Sequence, residues 1–131
     1  MAKILIVDDD EGDRLIAQAI LARAGHETFF AHDGEEALRQ HALKEIDLVL
    51  TDLQMPEVHG FELISVLRDF AKPPALVAMS GTGQFQLHMA EALGAKYTLT
   101  KPLNPELLID AVNRALADAE AGIDTAGPGD E

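Results

Sequence analysis

Short apolar runs and helix-spaced stretches take turns along this chain. Residues 4–7 (Ile-Leu-Ile-Val), 48–50 (Leu-Val-Leu) and 75–79 (Ala-Leu-Val-Ala-Met) are apolar at every position. A strand buried on both faces of a parallel sheet reads this way, because neither face meets water. Residues 26–31 and 97–100 read as two further strands. A helix is predicted over 13–24, with Leu15, Ile16, Ala19 and Ile20 on one side and Gly25 as its stop. Asp33-Gly34-Glu35-Glu36 is a capping-box pattern that opens a second helix to about Leu43. A third helix, over 60–70, is broken by Lys72-Pro73-Pro74; a fourth carries Leu87, Ala90 and Leu93 and closes at Gly94. The fifth starts at Asn104 as cap, with Pro105 in the first helical position, and runs to about Ala119. Five strands alternating with five helices predict a three-layer α/β/α domain around a parallel sheet. Pattern alone leaves both doubly wound strand orders open. Residues 120–131 hold glycines, a proline and acids, with Ile123 the one large apolar residue. They read as a flexible acidic tail after a single domain over 1–119.

Composition narrows the class. A chain of 131 residues that is 47% hydrophobic forms one domain able to bury a core. The net charge of −13 disfavours direct binding to a phosphate backbone. There is no cysteine, which excludes disulfides and thiolate metal sites. No apolar run approaches the ~20 residues of a membrane span, and the N-terminal run is too short for a signal peptide. The expectation is a cytoplasmic protein without membrane insertion or direct nucleic-acid contact.

Polar residues stand at four of the predicted strand ends: Asp8 and Asp9, then Asp52, Ser80 and Lys101. In a parallel sheet all carboxyl ends share one edge, which is where open α/β sheets bind ligands. Singly, each has a plain structural role. Asp52 caps a helix as readily as it binds anything, and Ser80-Gly81 or Lys101-Pro102 alone are ordinary surface turns. Jointly they make a chemical set. Carboxylates held about 4 Å apart repel by on the order of 4 kcal/mol per pair at an effective dielectric near 20. A divalent cation relieves this most simply, and oxygen ligands without His or Cys suit magnesium. A carboxylate, a cation, a hydroxyl and a lysine are the parts of a phosphoryl-transfer site. Asp52 is the nucleophile, Lys101 a point charge for a phosphoryl oxygen and Ser80 a donor, with Gly81 leaving the approach open.

These residues identify a resemblance. Ile4-Leu5-Ile6-Val7-Asp8-Asp9, Leu50-Thr51-Asp52 with Met55-Pro56 and Gly60, Met79-Ser80-Gly81 and Lys101-Pro102 together match the response-regulator receiver domains of two-component signalling. The likeness covers residues 3–118 and is closest to single-domain, chemotaxis-regulator-like members. It implies a flavodoxin-like fold with strand order 2-1-3-4-5. Asp52 is then the phosphoacceptor, supplied by the phosphohistidine of a histidine kinase or histidine phosphotransfer protein. Asp9, Asp52 and the main-chain carbonyl of Gln54 bind Mg2+ directly, and Asp8 binds it through water. Ser80 and Lys101 engage the phosphoryl group, and the Lys101-Pro102 bond is cis. The fourth helix, fifth strand and fifth helix, roughly residues 84–119, form the face that binds a downstream target protein. Such a domain catalyses only its own phosphoryl transfer and dephosphorylation. One position departs from the family pattern. Many members carry an aromatic three residues before the lysine, where Thr98 stands here, and alternation sets Tyr97 on the opposite face.

Rival readings fit less of the chain. Asp8-Asp9-Asp10-Glu11-Gly12 partly imitates the Asp-x-Asp-x-Thr/Val motif of haloacid-dehalogenase-type phosphohydrolases, but Gly12 replaces the Thr or Val and no acidic pair on a strand end follows Lys101. Asp8-x-Asp10 as a calcium loop would need Glu where Ala19 stands. His41-Ala42-Leu43-Lys44 resembles a histidine phosphotransfer motif, with Glu45 in place of its glycine, so His41 is expected to be a solvent-facing helix residue. A constitutive interaction module would not need a complete acceptor set.

Overall fold

Each strand of the chain is followed by a helix: β1 (Lys3–Val7), α1 (Glu11–Arg23), β2 (Glu27–Ala31), α2 (Gly34–Lys44), β3 (Leu48–Asp52), α3 (Gly60–Arg68), β4 (Ala75–Ser80), α4 (Gln84–Leu93), β5 (Tyr97–Thr100) and α5 (Pro105–Glu120). The computed structural model describes residues 2–53, 60–81, 84–95 and 97–122. Its five strands are all parallel and ordered β2-β1-β3-β4-β5. This is the flavodoxin-like order, in which the sequence of strand addition switches sides between β1 and β3.

The all-apolar runs are explained by two cores, one on each side of the sheet. Leu5, Val7, Val49, Leu53, Leu76 and Ala78 face α2, α3 and α4, meeting Ala37, Leu63, Ile64, Leu67 and Ala90. The alternate residues Ile4, Ile6, Leu48, Leu50, Val77 and Met79 face α1 and α5, meeting Ala17, Leu21, Leu108, Val112 and Ala115. Strand side chains alternate, so a strand covered on both faces needs apolar residues at both parities. The edge strands β2 and β5 are only partly covered, and their sequences are correspondingly mixed.

Side-chain caps set where the helices begin. Asp10 accepts from the Asp13 N–H at the start of α1, Asp33 from Glu36 at α2, and Asn104 from Glu106 and Leu107 at α5. Each satisfies backbone donors that lack a partner in the first turn. Glu36 reaches back past the cap, its Oε1 accepting the N–H of His32, one residue before Asp33, at 2.9 Å. Gly25, with φ of 93°, takes the left-handed conformation that ends α1. At the end of α2 the same conformation falls to Glu45, at φ 55°, without a glycine to ease it.

Helix α1 departs from the expectation in two ways. It starts at Glu11, because Asp10 rather than a later residue is the cap. Its buried face is Ala17 and Leu21, with Ile20 packed beside them. Leu15 and Ile16 are 49% and 52% exposed. Ala17 and Leu21 pack in one cluster with Ile4, Ile6, Leu108 and Val112, which leaves Leu15 and Ile16 outside that core. His41 also differs: its ring lies 5.4 Å from Phe70 rather than facing solvent. Helix α5 ends at Glu120, one residue beyond the expected boundary, and residues 123–131 of the expected tail lie outside the described residues.

Candidate functional site

The central strands β1 and β3 end in acids at the carboxyl edge of the sheet. Asp8, directly after β1, is fully buried, and its Oδ1 accepts the Asp10 N–H at 3.0 Å. Asp9 is exposed beside it. Asp52 closes β3 and is 5% exposed. Carboxylate oxygens of Asp8, Asp9 and Asp52 all lie within 4.8 Å of one another, so the predicted acidic notch exists. Three oxygen donors at that spacing fit a hard divalent cation that keeps part of its water shell.

Lys101 reaches into the notch from the end of β5. Its Nζ donates to Asp8 Oδ2 at 2.7 Å and to Asp13 Oδ2 at 2.8 Å, and it lies 3.6 Å from Asp52 Oδ2. The Lys101-Pro102 bond is cis, as the resemblance implied. Ser80 ends β4 and is fully buried. Its carbonyl accepts the Lys101 N–H at 2.9 Å, and its neighbour Met79 is the register partner of Asp52. The predicted strand-end residues are therefore brought to one rim. Gln54, expected to lend a main-chain carbonyl, and Met55-Pro56 lie outside the described residues.

The charges in the notch are unevenly matched. Burial pushes the Asp8 carboxyl up, and the hydrogen bond from Lys101 only partly opposes this. For Lys101, burial disfavours the ammonium, but hydrogen bonds to Asp13 and Asp8 and the charge of Asp52 outweigh it and raise the pKa above the ordinary value. The two partners are not a simple ion pair. One ammonium serves three carboxylates, so the lysine gains from all of them while Asp8 receives a share of one cation.

Two neighbours had no signal in the strand-end pattern. Asp13 bonds Lys101, and Arg14 donates to the Asp8 carbonyl at 2.6 Å while lying 5.8 Å over the Phe30 ring. Both sit in the first turn of α1, at a spacing that only the cap at Asp10 would have revealed. Among the described residues, a Cβ at Gly81 would meet the Lys101 Cβ at 3.8 Å, an ordinary contact. Around β5, Tyr97 does point away from the Thr98 side: its hydroxyl donates to Asp118 of α5, and that bond holds the phenol pKa up. Thr98 Oγ1 instead meets Glu91 of α4, at 3.5 Å. A larger surface hollow lined by His41, Glu45, Phe70 and Lys72 lies at the opposite, amino-terminal end of the strands, away from this chemistry.

A doubly wound α/β domain with an acidic notch bridged by a strand-end lysine is of the receiver class. Comparison with known proteins agrees. A family model for the response regulator receiver domain matches residues 4–113. The alkaline phosphatase synthesis transcriptional regulatory protein PhoP of Bacillus subtilis is 33% identical over 90% of this chain and 50% of its own length. Sporulation initiation phosphotransferase F of the same organism is 30% identical over 87% of this chain and 93% of its own. Among solved structures, chemotaxis response regulator CheY4 of Vibrio cholerae superposes with a TM-score of 0.80 at 34% identity, covering 88% of this chain and 99% of that one. The chain belongs to the response regulator receiver domain family, and its Asp8, Asp9 and Asp52 cluster fits the family's phosphorylation site. It spans about half the length of several curated relatives, PhoP among them. Among the described residues no helix is long and apolar enough to cross a membrane.

Proposed function

We propose that the chain is a phosphorylation-controlled switch in a two-component or phosphorelay pathway, with Asp52 as the phosphoacceptor. The observation that carries this is the buried Asp52 carboxylate at a strand end, in one notch with two further acids and 3.6 Å from the Lys101 ammonium. A carboxylate oxygen of Asp52 attacks the phosphorus of a phosphohistidine on a histidine kinase or histidine phosphotransfer protein. The P–N bond breaks and its electron pair returns to the imidazole, leaving an aspartyl phosphate. Lys101 and Ser80 take two of the phosphoryl oxygens, compensating charge that three carboxylates would otherwise repel. Asp9, Asp52 and the Gln54 carbonyl would hold Mg2+, with Asp8 joined through water. Bound there, the cation supplies charge neutralisation between the acids and the phosphoryl oxygens.

Output follows as a shift between pre-existing conformations, read by a target protein on the face formed by α4, β5 and α5. With Thr98 at the position where many members of the family carry an aromatic, coupling to this face runs through polar contacts such as Thr98 to Glu91. The domain turns over no external substrate beyond its own phosphoryl group, and it works in the cytoplasm. Incubation with a small phosphodonor and Mg2+ is expected to add a single phosphoryl mass to the wild type, and Asp52→Asn to abolish it. A wild type that stays unmodified overturns the assignment.

A further inference from the structure

We propose that Asp13 is a positioning residue that competes with the phosphoryl group for Lys101, restraining the lysine while Asp52 is unmodified. The inference rests on Asp52 being the acceptor and adds a residue outside the strand-end set. Lys101 Nζ has three N–H donors. Two are taken, by Asp8 Oδ2 at 2.7 Å and Asp13 Oδ2 at 2.8 Å. Asp52 Oδ2 lies at 3.6 Å, within ion-pair range but outside hydrogen-bond reach. The unmodified protein therefore holds its phosphate-seeking cation nearer to two other carboxylates than to the acceptor.

The two anchors are not equivalent. Asp8 is fully buried and fixed by the Asp10 N–H, so its bond to Lys101 cannot be handed to water. The Asp13 side chain is 37% exposed, on the first turn of α1, where the helix dipole favours a carboxylate with or without a lysine. Asp13 is thus the anchor that gives way. Asp13 and Lys101 line a small hollow together with Ile16, Pro102 and Leu103, open to solvent on the Asp13 side. Phosphorylation replaces the single carboxylate charge of Asp52 with roughly two on phosphoryl oxygens facing the same ammonium. While Asp13 remains ionised and bonded, part of the Lys101 charge is already neutralised.

The prediction concerns affinity and has a sign. Beryllofluoride, in the presence of Mg2+, is the probe of the phosphorylated geometry, with binding followed by 19F NMR. Asp13→Asn keeps the shape and removes the charge, and is expected to tighten beryllofluoride binding by roughly three- to tenfold. Asp13→Glu restores the charge and returns affinity to near the wild-type value. In a Lys101→Ala background the gain from Asp13→Asn disappears, because the effect runs through the lysine. Asp13→Ser is a second neutral variant with the same expected direction, and thermal unfolding verifies that each variant is folded. Equal or weaker binding by folded Asp13→Asn and Asp13→Ser overturns the proposal while wild-type binding still supports the acceptor assignment. A gain that persists without Lys101 also overturns it. A wild type that fails to bind beryllofluoride removes the acceptor assignment, and this inference with it.

Discussion

The histidines at the amino-terminal end of the sheet titrate against the fold. His26 Nδ1 accepts the Ala2 N–H at 3.2 Å, a bond that only an unprotonated nitrogen can make. Burial lowers its pKa below the ordinary 6.5, and burial does the same for His41 beside Phe70. A proton therefore binds the unfolded chain more readily than the folded one. This contribution to stability is complete above the unfolded value of 6.5 and declines as pH falls below it toward the lowered folded value. The urea midpoint is expected to drop between about pH 7.5 and about pH 5.5, and His26→Gln to flatten that drop. An identical pH slope in wild type and variant would show that His26 contributes nothing. At the opposite edge, Asp8 shows the inverse balance: a carboxylate buried completely beside an ammonium it shares. A residue's surroundings, rather than its type, set these properties. That is why His41 looked like a surface residue in the linear sequence, where the Phe70 ring stands 29 positions away (70 − 41).

At the scale of elements, local signals and tertiary contacts divide the work. The Asp33 cap and its partner Glu36 were legible because both lie within one turn. Asp33→Ala is expected to cost about 1 kcal/mol and lower the melting temperature by about 4 °C. A melting temperature unchanged in a calorimetric scan would remove the cap from the account. The start of α1 at Asp10 could have been read by the same logic, since Asp10 precedes its own turn of acids. The rotation of α1 could not. Leu15, Ile16, Ala19 and Ile20 form a plausible apolar side, but the helix turns Ala17 and Leu21 inward, into one cluster with Ile4, Ile6, Leu108 and Val112. The face chosen in turn brings Asp13 against Lys101 and Arg14 against the Asp8 carbonyl.

For the whole molecule, the parallel sheet converts five separated strand ends into one rim, and the proposed output through α4, β5 and α5 depends on how that rim couples outward. Strand β5 contacts both flanking helices: Tyr97 bonds Asp118 of α5, and Thr98 meets Glu91 of α4. Adding beryllofluoride and Mg2+ to isotope-labelled protein is expected to move amide resonances beyond the rim, across α4, β5 and α5. Changes confined to the loops around Asp52 would contradict an output through that face. The sequence by itself determined the layer architecture, the element order and the candidate acceptor set. Periodicity of 2 or 3.6 and capping are local, and a parallel sheet places every carboxyl end on one edge. Tertiary structure alone decided the partners of Lys101, which lie 93 and 88 positions away at Asp8 and Asp13. Such contacts depend on the packing of α1 against the sheet and α5. No local pattern records how far a helix is rotated when it meets its neighbours.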